Sequence, residues 1–304
     1  MNFEPKFVES LTLTVLFRIA ISKNNTLKMI DKIHIGQRAN INVKHTPNSE
    51  VIIYEDHRTI LNVLFAKKLN KEIEFPVNII LFDNHDDFCK PNESALAIIN
   101  RFNENEPSIR DFWIFTEFDL RVLDDDWIKA GMELDLIKNV FLFNATETSL
   151  GFLSRYETTK FGTKKLYNLG YIWDAISNKG CLNDIIKDDE FGEFWEDFGW
   201  VNENGEFYFD PSSKFIVDFD LDCFSTEILD KRLAIPDEIL DEKLTSSYPR
   251  DSHSFYSSQE LIKEMIEKSE ITTICFENQF CGGFTEVFKI FNYINKTFFE
   301  NKIK

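Results

Sequence analysis

The chain has 304 residues and a formal net charge of −18, with 52 acidic side chains against 34 basic ones. That balance argues against a nucleic-acid partner, whose phosphates call for Lys and Arg; it suits a cationic small molecule or a basic peptide, or serves solubility alone. A hydrophobic fraction of 43% supplies a large core, no stretch reaches the roughly 20 uncharged apolar residues of a membrane helix, and five cysteines without CxxC spacing point to a reduced, cytoplasmic protein.

Residues 1–45 read mostly as strand, with period-two apolar positions at Leu11, Leu13, Val15, Phe17 and Ile19, a turn at Lys23-Asn24-Asn25, and Ile33 and Ile35 beyond it. The run 11–21 has no basic leader or small-residue cleavage site and does not read as a signal peptide. Residues 51–54 form a short buried strand, followed by a helix over 58–70 with Ile60, Leu61, Leu64 and Leu69 on one side. A strand over 77–82 precedes a helix at 93–102; strands at 113–118 and 140–143 are separated by a helix near 125–138. A helix near 164–177 leads into the acidic and aromatic stretch 191–200, and 215–221 is a buried strand. Ser257 and Glu260 are spaced as a capping box for a helix to Lys268; a strand at 271–276 and an amphipathic helix over 284–300 close the chain. Short buried strands alternating with helices predict an α/β fold, a three-layer α/β/α arrangement on a mainly parallel sheet. The simplest organisation is one domain over 1–304, with an N-terminal β element (about 1–48) and an insertion (about 145–213).

Three strand ends deliver candidate ligands: Glu55-Asp56-His57, Asp83-Asn84-His85-Asp86-Asp87 and Asp218-Phe219-Asp220-Leu221-Asp222. Ionised carboxylates beside apolar surface must be neutralised. Neither of the longer runs has an obvious Lys or Arg nearby, and divalent cations would serve. Ligands of open α/β sheets bind beyond the carboxyl ends of strands. In extended chain, residues two apart project to one side, so Asp83, His85 and Asp87 are expected to converge, as are Asp220 and Asp222. Mixed carboxylate and imidazole ligands suit Mn2+, Fe2+ or Zn2+, and a carboxylate-rich set favours Mn2+. The competing reading is that strand-end Asp residues cap the next helices. Asp218, one step deeper, reads as hydrogen-bonded support, and Asp86 as solvent-facing or a cap. Cys89 and Cys223 read as packing residues, and His34 and His45 as surface or structural. His253, in the polar loop Pro249-Arg250-Asp251-Ser252-His253, is either simply exposed or an acid or base near a site.

At these residues the chain resembles the ureohydrolase superfamily of arginases and agmatinases, which carries Gly-Gly-Asp-His, Asp-Ala-His-x-Asp and Ser-x-Asp-x-Asp segments. Asp56-His57 is similar to the first, Asp83-Asn84-His85-Asp86-Asp87 to the second and Asp218-Phe219-Asp220-Leu221-Asp222 to the third, in the same order. The form Asp-Phe-Asp-Leu-Asp-Cys-Phe-Ser is similar to a divergent branch that includes the peptide arginases. The resemblance covers about residues 50–290, outside the N-terminal element and the insertion. It implies an arginase-like fold and two Mn2+ ions, other divalent metals being possible. One would be held by His57, Asp83, Asp87 and Asp220, the other by His85, Asp83, Asp220 and Asp222, with Asp83 and Asp220 bridging. It implies hydrolysis of the guanidino group of arginine in a peptide, giving ornithine and urea. Asp222 would pass a proton to the leaving nitrogen, and Glu277 would receive the guanidinium through two parallel hydrogen bonds; a merely solvated strand-end Glu fits the sequence equally well.

The departures are specific. Tyr54-Glu55 replaces the Gly-Gly pair, and no His follows Asp87 where arginases carry a proton shuttle, leaving His253 as a candidate for proton delivery. No reader of a free α-carboxylate is evident, which favours an arginine-containing peptide as partner. The alternatives are a small-molecule ureohydrolase or amide hydrolase on the same fold, or a catalytically inactive metal-binding partner protein, which the missing shuttle favours.

Overall fold

The structure, a computed structural model, describes residues 34–35, 39–40, 42–45, 50–121, 125–144, 154–171, 214–245, 247–251 and 254–303. The first half contains β1 (His34–Ile35), β2 (Ala39–Asn40), β3 (Asn42–His45), β4 (Glu50–Tyr54), α1 (Thr59–Leu69), β5 (Val77–Phe82), α2 (Glu93–Glu104), α3 (Ile109–Phe118), α4 (Trp127–Glu133) and β6 (Ile137–Asn144). Then come β7 (Ser154–Thr159), β8 (Gly162–Tyr171), β9 (Phe215–Asp220), a 3-10 turn (Leu221–Phe224), β10 (Ser225–Ile228), β11 (Lys231–Ala234) and α5 (Asp237–Thr245). The chain closes with β12 (Ser247–Asp251), β13 (Ser254–Ser257), α6 (Ser258–Lys268), β14 (Thr272–Cys275) and α7 (Phe284–Phe299).

Eight strands form one sheet in the order β3-β4-β14-β9-β5-β6-β8-β7. The six inner strands, β4 to β8 in that order, run parallel, and β3 and β7 add antiparallel edges. Every residue of β5, β9 and β14 is buried. Such strands are covered on both faces, which is why they read as continuous apolar runs rather than as alternation. Their side chains nevertheless sort by parity. Ile80, Phe82, Val217, Phe219 and Ile274 enter one core with residues of α5, α6 and α7. Ile79, Leu81, Ile216 and Cys275 enter the other with residues of α1 to α4. The fold is therefore α/β, with helices packed on both faces of a mainly parallel sheet. No helix among the described residues is long and apolar enough to cross a membrane.

Several expected elements change. The segment 113–118, expected as strand, lies in α3. Ser108 caps that helix by accepting from the Asp111 N–H at 3.1 Å, and Phe112, Trp113, Phe115 and Thr116 bury one helical face. An apolar run this short does not declare its period. Residues 164–171 of the helix expected near 164–177 lie instead in strand β8, entered from β7 through a tight turn in which Gly162 has a φ of 109°, and 172–177 lie outside the described residues. The start of the expected insertion thus extends the central sheet. The helix expected over 125–138 ends at Glu133, and Ile137 already begins β6. The capping box of Ser257 and Glu260 is present. The apolar positions from Leu11 to Ile19, the Lys23-Asn24-Asn25 turn, Ile33 and the stretch 191–200 lie outside the described residues.

Phe82 ends β5 immediately before the acidic run. It is fully buried, with ring centroids 4.7 Å from Phe219 and 5.5 Å from Phe143. Phe82→Ala should destabilise the protein by about 3–5 kcal/mol, and Phe82→Leu by clearly less. Denaturant titration of both variants checks this, and equal losses would show that the stack is not what holds that strand end.

Candidate metal centre

The carboxyl ends of β4, β14, β9 and β5, four neighbours in the sheet, carry His57, Glu277, Asp220 and Asp83. Register brings them level. Cys275 stands opposite both Tyr54 and Asp220, and Phe82 stands opposite Phe219. Backbone pairing continues past the strand ends, from the Glu277 N–H to the Glu55 carbonyl at 3.2 Å.

Convergence beyond the strands comes from turns rather than from the extended chain the sequence suggested. Asp83 Oδ1 accepts the His85 N–H at 2.6 Å, which bends the run back on itself, and Asp87 sits in a left-handed conformation with a φ of 42°. Asp220 Oδ1 accepts the Asp222 N–H at 3.1 Å and opens the 3-10 turn. A left-handed Asp is tolerable but uncommon, and Glu277 is also left-handed, with a φ of 33°. Backbone in such regions persists where surrounding structure imposes it, and it gathers at functional sites.

The residues meet around His57. Its Nδ1 lies 3.4 Å from Asp83 Oδ2, 3.2 Å from Asp87 Oδ2 and 3.3 Å from Asp220 Oδ2. On the outer side, His85 Nδ1 is 3.0 Å from Asp222 Oδ2 and 3.7 Å from Asp83 Oδ1. His57 Nδ1, Asp83 Oδ2, Asp220 Oδ2 and Asp222 Oδ2 are all buried without a hydrogen-bond partner. Four orphaned polar atoms in one place would be costly. Ligands held about 2.1 Å from a cation lie about 3.0–3.4 Å apart around it, which is the spacing found about Nδ1. Three sets of ligand atoms fall within 4.8 Å of one another: His57 with Asp83 and Asp87; His57 with Asp220 and Glu277; and Asp83 with His85 and Asp222. This buried His and Asp cluster could hold a metal ion.

Asp218 acts as the supporting residue expected of it. Its Oδ2 lies 2.7 Å from His57 Nε2, and its Oδ1 accepts from Tyr54 Oη at 3.0 Å and from Thr273 Oγ1 at 2.6 Å. Fixing the proton on Nε2 leaves the Nδ1 lone pair facing the cluster, as a ligating imidazole requires. Asp56 is not available to the cluster, because Arg58 clamps it at 2.7–3.1 Å. The same guanidinium reaches the carbonyls of Glu117, Leu120 and Arg121, so the turn presenting His57 is anchored to the end of α3.

Other expectations need correction. Asp86, expected as solvent-facing or a cap, accepts the Phe88 N–H at 3.3 Å and is also paired with Arg155 at 2.6 Å. The longer runs do have basic neighbours in space, Arg155 for the first and Arg232 for the second, at 3.6 Å from Asp222. Glu277, expected as a substrate carboxylate or a merely solvated strand-end residue, comes within ligand range of His57 and Asp220. His253 lies outside the described residues. Sequence reading missed Trp127, whose Nε1 donates to Asp87 Oδ2 at 2.7 Å and whose ring lies 4.6 Å from that of His57. It also missed Asn84, which donates to the Asp222 carbonyl at 2.7 Å, and Phe280, which meets His85 edge-on. No local motif marks them; each acts across a long stretch of chain. A cleft of about 420 Å³ opens onto the cluster, lined by Asn84, His85, Asp86, Asp87, Asp125, Glu277 and Phe280.

The electrostatics fit a site built for positive charge. Burial, then repulsion from Asp87, Asp220 and Asp222, pushes the Asp83 carboxyl well above the usual range. Burial and Asp222 raise Asp220 to about 6. Burial alone would lower His57, but Asp218, Asp220 and Asp87 outweigh it and hold the imidazole well above its usual value. The Asp222 carboxylate beside it raises His85. Burial keeps the thiols of Cys275 and Cys281 protonated, which leaves the ligand work to oxygen and nitrogen.

No model of a known protein family matches the chain, and comparison with curated proteins found none similar to it.

Two predictions follow from this geometry. Asp83 and Asp220 have raised carboxyl pKa values and His57 a raised imidazole pKa, so in each case the folded state holds its proton longer than the unfolded state. Their stabilisation is complete below the unfolded pKa and is lost as pH rises through the folded value. For Asp220 that window runs from 3.8 to about 6; for His57 it opens above 6.5. Protein stripped of divalent cations should therefore melt lower at pH 7.5 than at pH 5, and added Mn2+ should restore it most at the higher pH. A flat profile that Mn2+ leaves unmoved would contradict a cation site. Asp218→Asn keeps the shape but loses the charge behind His57, so Mn2+ affinity by calorimetry should fall roughly 10–100-fold. Unchanged affinity would mean that Asp218 does not prepare the imidazole.

Proposed function

We propose that the chain is a binuclear, manganese-dependent hydrolase of the ureohydrolase kind, which cleaves the guanidino group of arginine within a peptide to give ornithine and urea. The observation that carries this reading is the pair of ligand sets sharing Asp83, one centred on His57 and one on His85, at the floor of an acidic cleft. His57, Asp83, Asp87 and Asp220 would hold the first ion; Asp83, His85, Asp220 and Asp222 would hold the second. A carboxylate-rich set suits Mn2+, and two such ions would supply Lewis acidity and an activated water at neutral pH.

The remaining roles belong to the chain. Asp86, Asp87, Asp125 and Glu277 line the cleft; with Asp86 and Asp125 paired to Arg155 and Arg121, Asp87 and Glu277 are the carboxylates that would draw in a cation. Glu277 offers a carboxylate to two parallel N–H groups of a guanidinium, the pairing that best fits its planar shape. Trp127 and Asp218 fix Asp87 and His57, so the ligand atoms need little rearrangement. Asp222 Oδ2, beside His85, is assigned the return of a proton to the departing nitrogen. The cleft lining itself contains no Lys or Arg, and the arginines at its edge are held by Asp86, Asp125 and the Phe280 carbonyl; this favours an arginine whose backbone is in peptide linkage over one with a free α-carboxylate.

The test is to incubate Mn2+-loaded protein with arginine-containing peptides, free arginine and agmatine side by side. Mass spectrometry should show loss of CH2N2 at Arg in a peptide, with urea released and the small guanidines unchanged. Asp220→Asn should lower turnover by roughly three orders of magnitude or more. Urea from arginine or agmatine alone would move the reading to a small-molecule ureohydrolase. Two bound ions with no turnover of any guanidino compound would leave a metal-binding protein without this activity.

A further inference from the structure

Arg232 has no part in the roles assigned above. It lies on β11, which pairs with β10 in a hairpin directly after the turn that carries Asp222. Its Nη1 donates to the Phe280 carbonyl at 3.1 Å and stands 3.6 Å from Asp222 Oδ2. The hairpin is fastened at two more points. The Ala234 N–H donates to Glu286 at 2.9 Å, and Gly282, with a φ of 93°, lies so close to the Arg232 carbonyl that a Cβ there would collide with it. The guanidinium is thus held at the edge of the cluster.

Asp222 Oδ2 is buried, lacks a hydrogen bond and belongs to the outer ligand set with Asp83 and His85. A fixed positive charge beside that oxygen neutralises part of it and repels any divalent ion that would share it. The inner set differs. Among the described residues, no Lys or Arg forms an ion pair with Asp83, Asp87 or Asp220. Its His57 side chain is 0% exposed, whereas that of His85 is 41% exposed.

We propose that the two cation positions are unequal by construction: the inner one fills first, and Arg232 holds the outer one at low affinity, so that completion of the pair follows the supply of the cation. This rests on the binuclear reading above and names how that site is regulated.

The experiment is an Mn2+ titration of the full chain by calorimetry, with electron paramagnetic resonance to distinguish one isolated ion from a spin-coupled pair. Wild type should bind in two steps, the second weaker, with the coupled signal appearing only in the second. Arg232→Gln should tighten the second step about tenfold or more, as expected for removing one unit charge at close range, and leave the first within about twofold. Arg232→Lys, which keeps the charge, should stay near wild type, and Arg232→Met repeats the neutral test should the Gln variant not fold. Two equal constants in wild type, a second step that Arg232→Gln leaves unchanged or weaker, or both steps moving together would overturn the inference while leaving the binuclear site standing. Fewer than two ions bound by wild type would overturn the binuclear reading itself, and this inference with it.

Discussion

Mutual repulsion among carboxylates buried in one place is the constraint on which the rest of this structure depends. Asp83, Asp220 and Asp222 are essentially inaccessible to solvent and Asp87 nearly so, and the oxygens that face one another are the ones left without hydrogen bonds. Buried acids normally relieve such a conflict by taking up protons, and the raised values of Asp83 and Asp220 show that tendency. A chain selected for stability alone would replace one of them with an apolar residue. Their presence at the ends of two neighbouring strands, β5 and β9, with one imidazole aimed at their centre from beyond β4, points to a positively charged occupant.

The fold is arranged to withstand that repulsion. Two cores, separated by the parity of β5 and β9 side chains, clamp the sheet from both faces just behind the cluster. Asp218 spends its charge on His57, Tyr54 and Thr273 instead of joining the cluster, and Arg58 closes off Asp56. The acidic residues that could have worsened the repulsion are each given another partner. The left-handed backbone at Asp87 and Glu277 is a further local cost, and local rules are broken most often where function requires it.

Much of this was legible in the sequence because strand ends are local. An apolar run followed by an acid or His announces both the strand and the residue it presents; β4, β5 and β9 follow that pattern, and β14 presents Glu277 in the same way. The residues expected to converge do lie together, but by a different geometry. Period-two geometry would put Asp83, His85 and Asp87 on one side, whereas an Asp83-to-His85 turn sends His85 toward Asp222 and leaves Asp87 with His57. The misread segments differ in cause. Residues 113–118 are too few to show a helical period, and α3 is recognisable mainly from its Ser108 cap. In β8, by contrast, cross-strand pairing with β6 and β7 overrides local propensity. Trp127, Arg155 and Arg232 were invisible for another reason: a partner brought close only by folding leaves no mark in the local sequence.

Glu277 ties these points together. It is placed by β14, the strand between those of His57 and Asp220, so its carboxylate approaches the inner ligand set. It also lines the cleft with Asp86, Asp87 and Asp125. One carboxylate between a metal position and an open acidic surface can serve a cation on either side, but not two at full strength. On the proposed reading this division orders events. With the inner position filled and its charge spent on His57, Asp83, Asp87 and Asp220, Glu277 is left facing the cleft, where a guanidinium is the remaining planar cation of the right size. Without the ion, the same carboxylate would be drawn toward the His57 imidazole, whose pKa Asp218, Asp220 and Asp87 raise against the effect of burial. On that reading the acidity that looked like a bulk property of the chain counts most at this residue, where the demands of the proposed cation and the proposed substrate would meet.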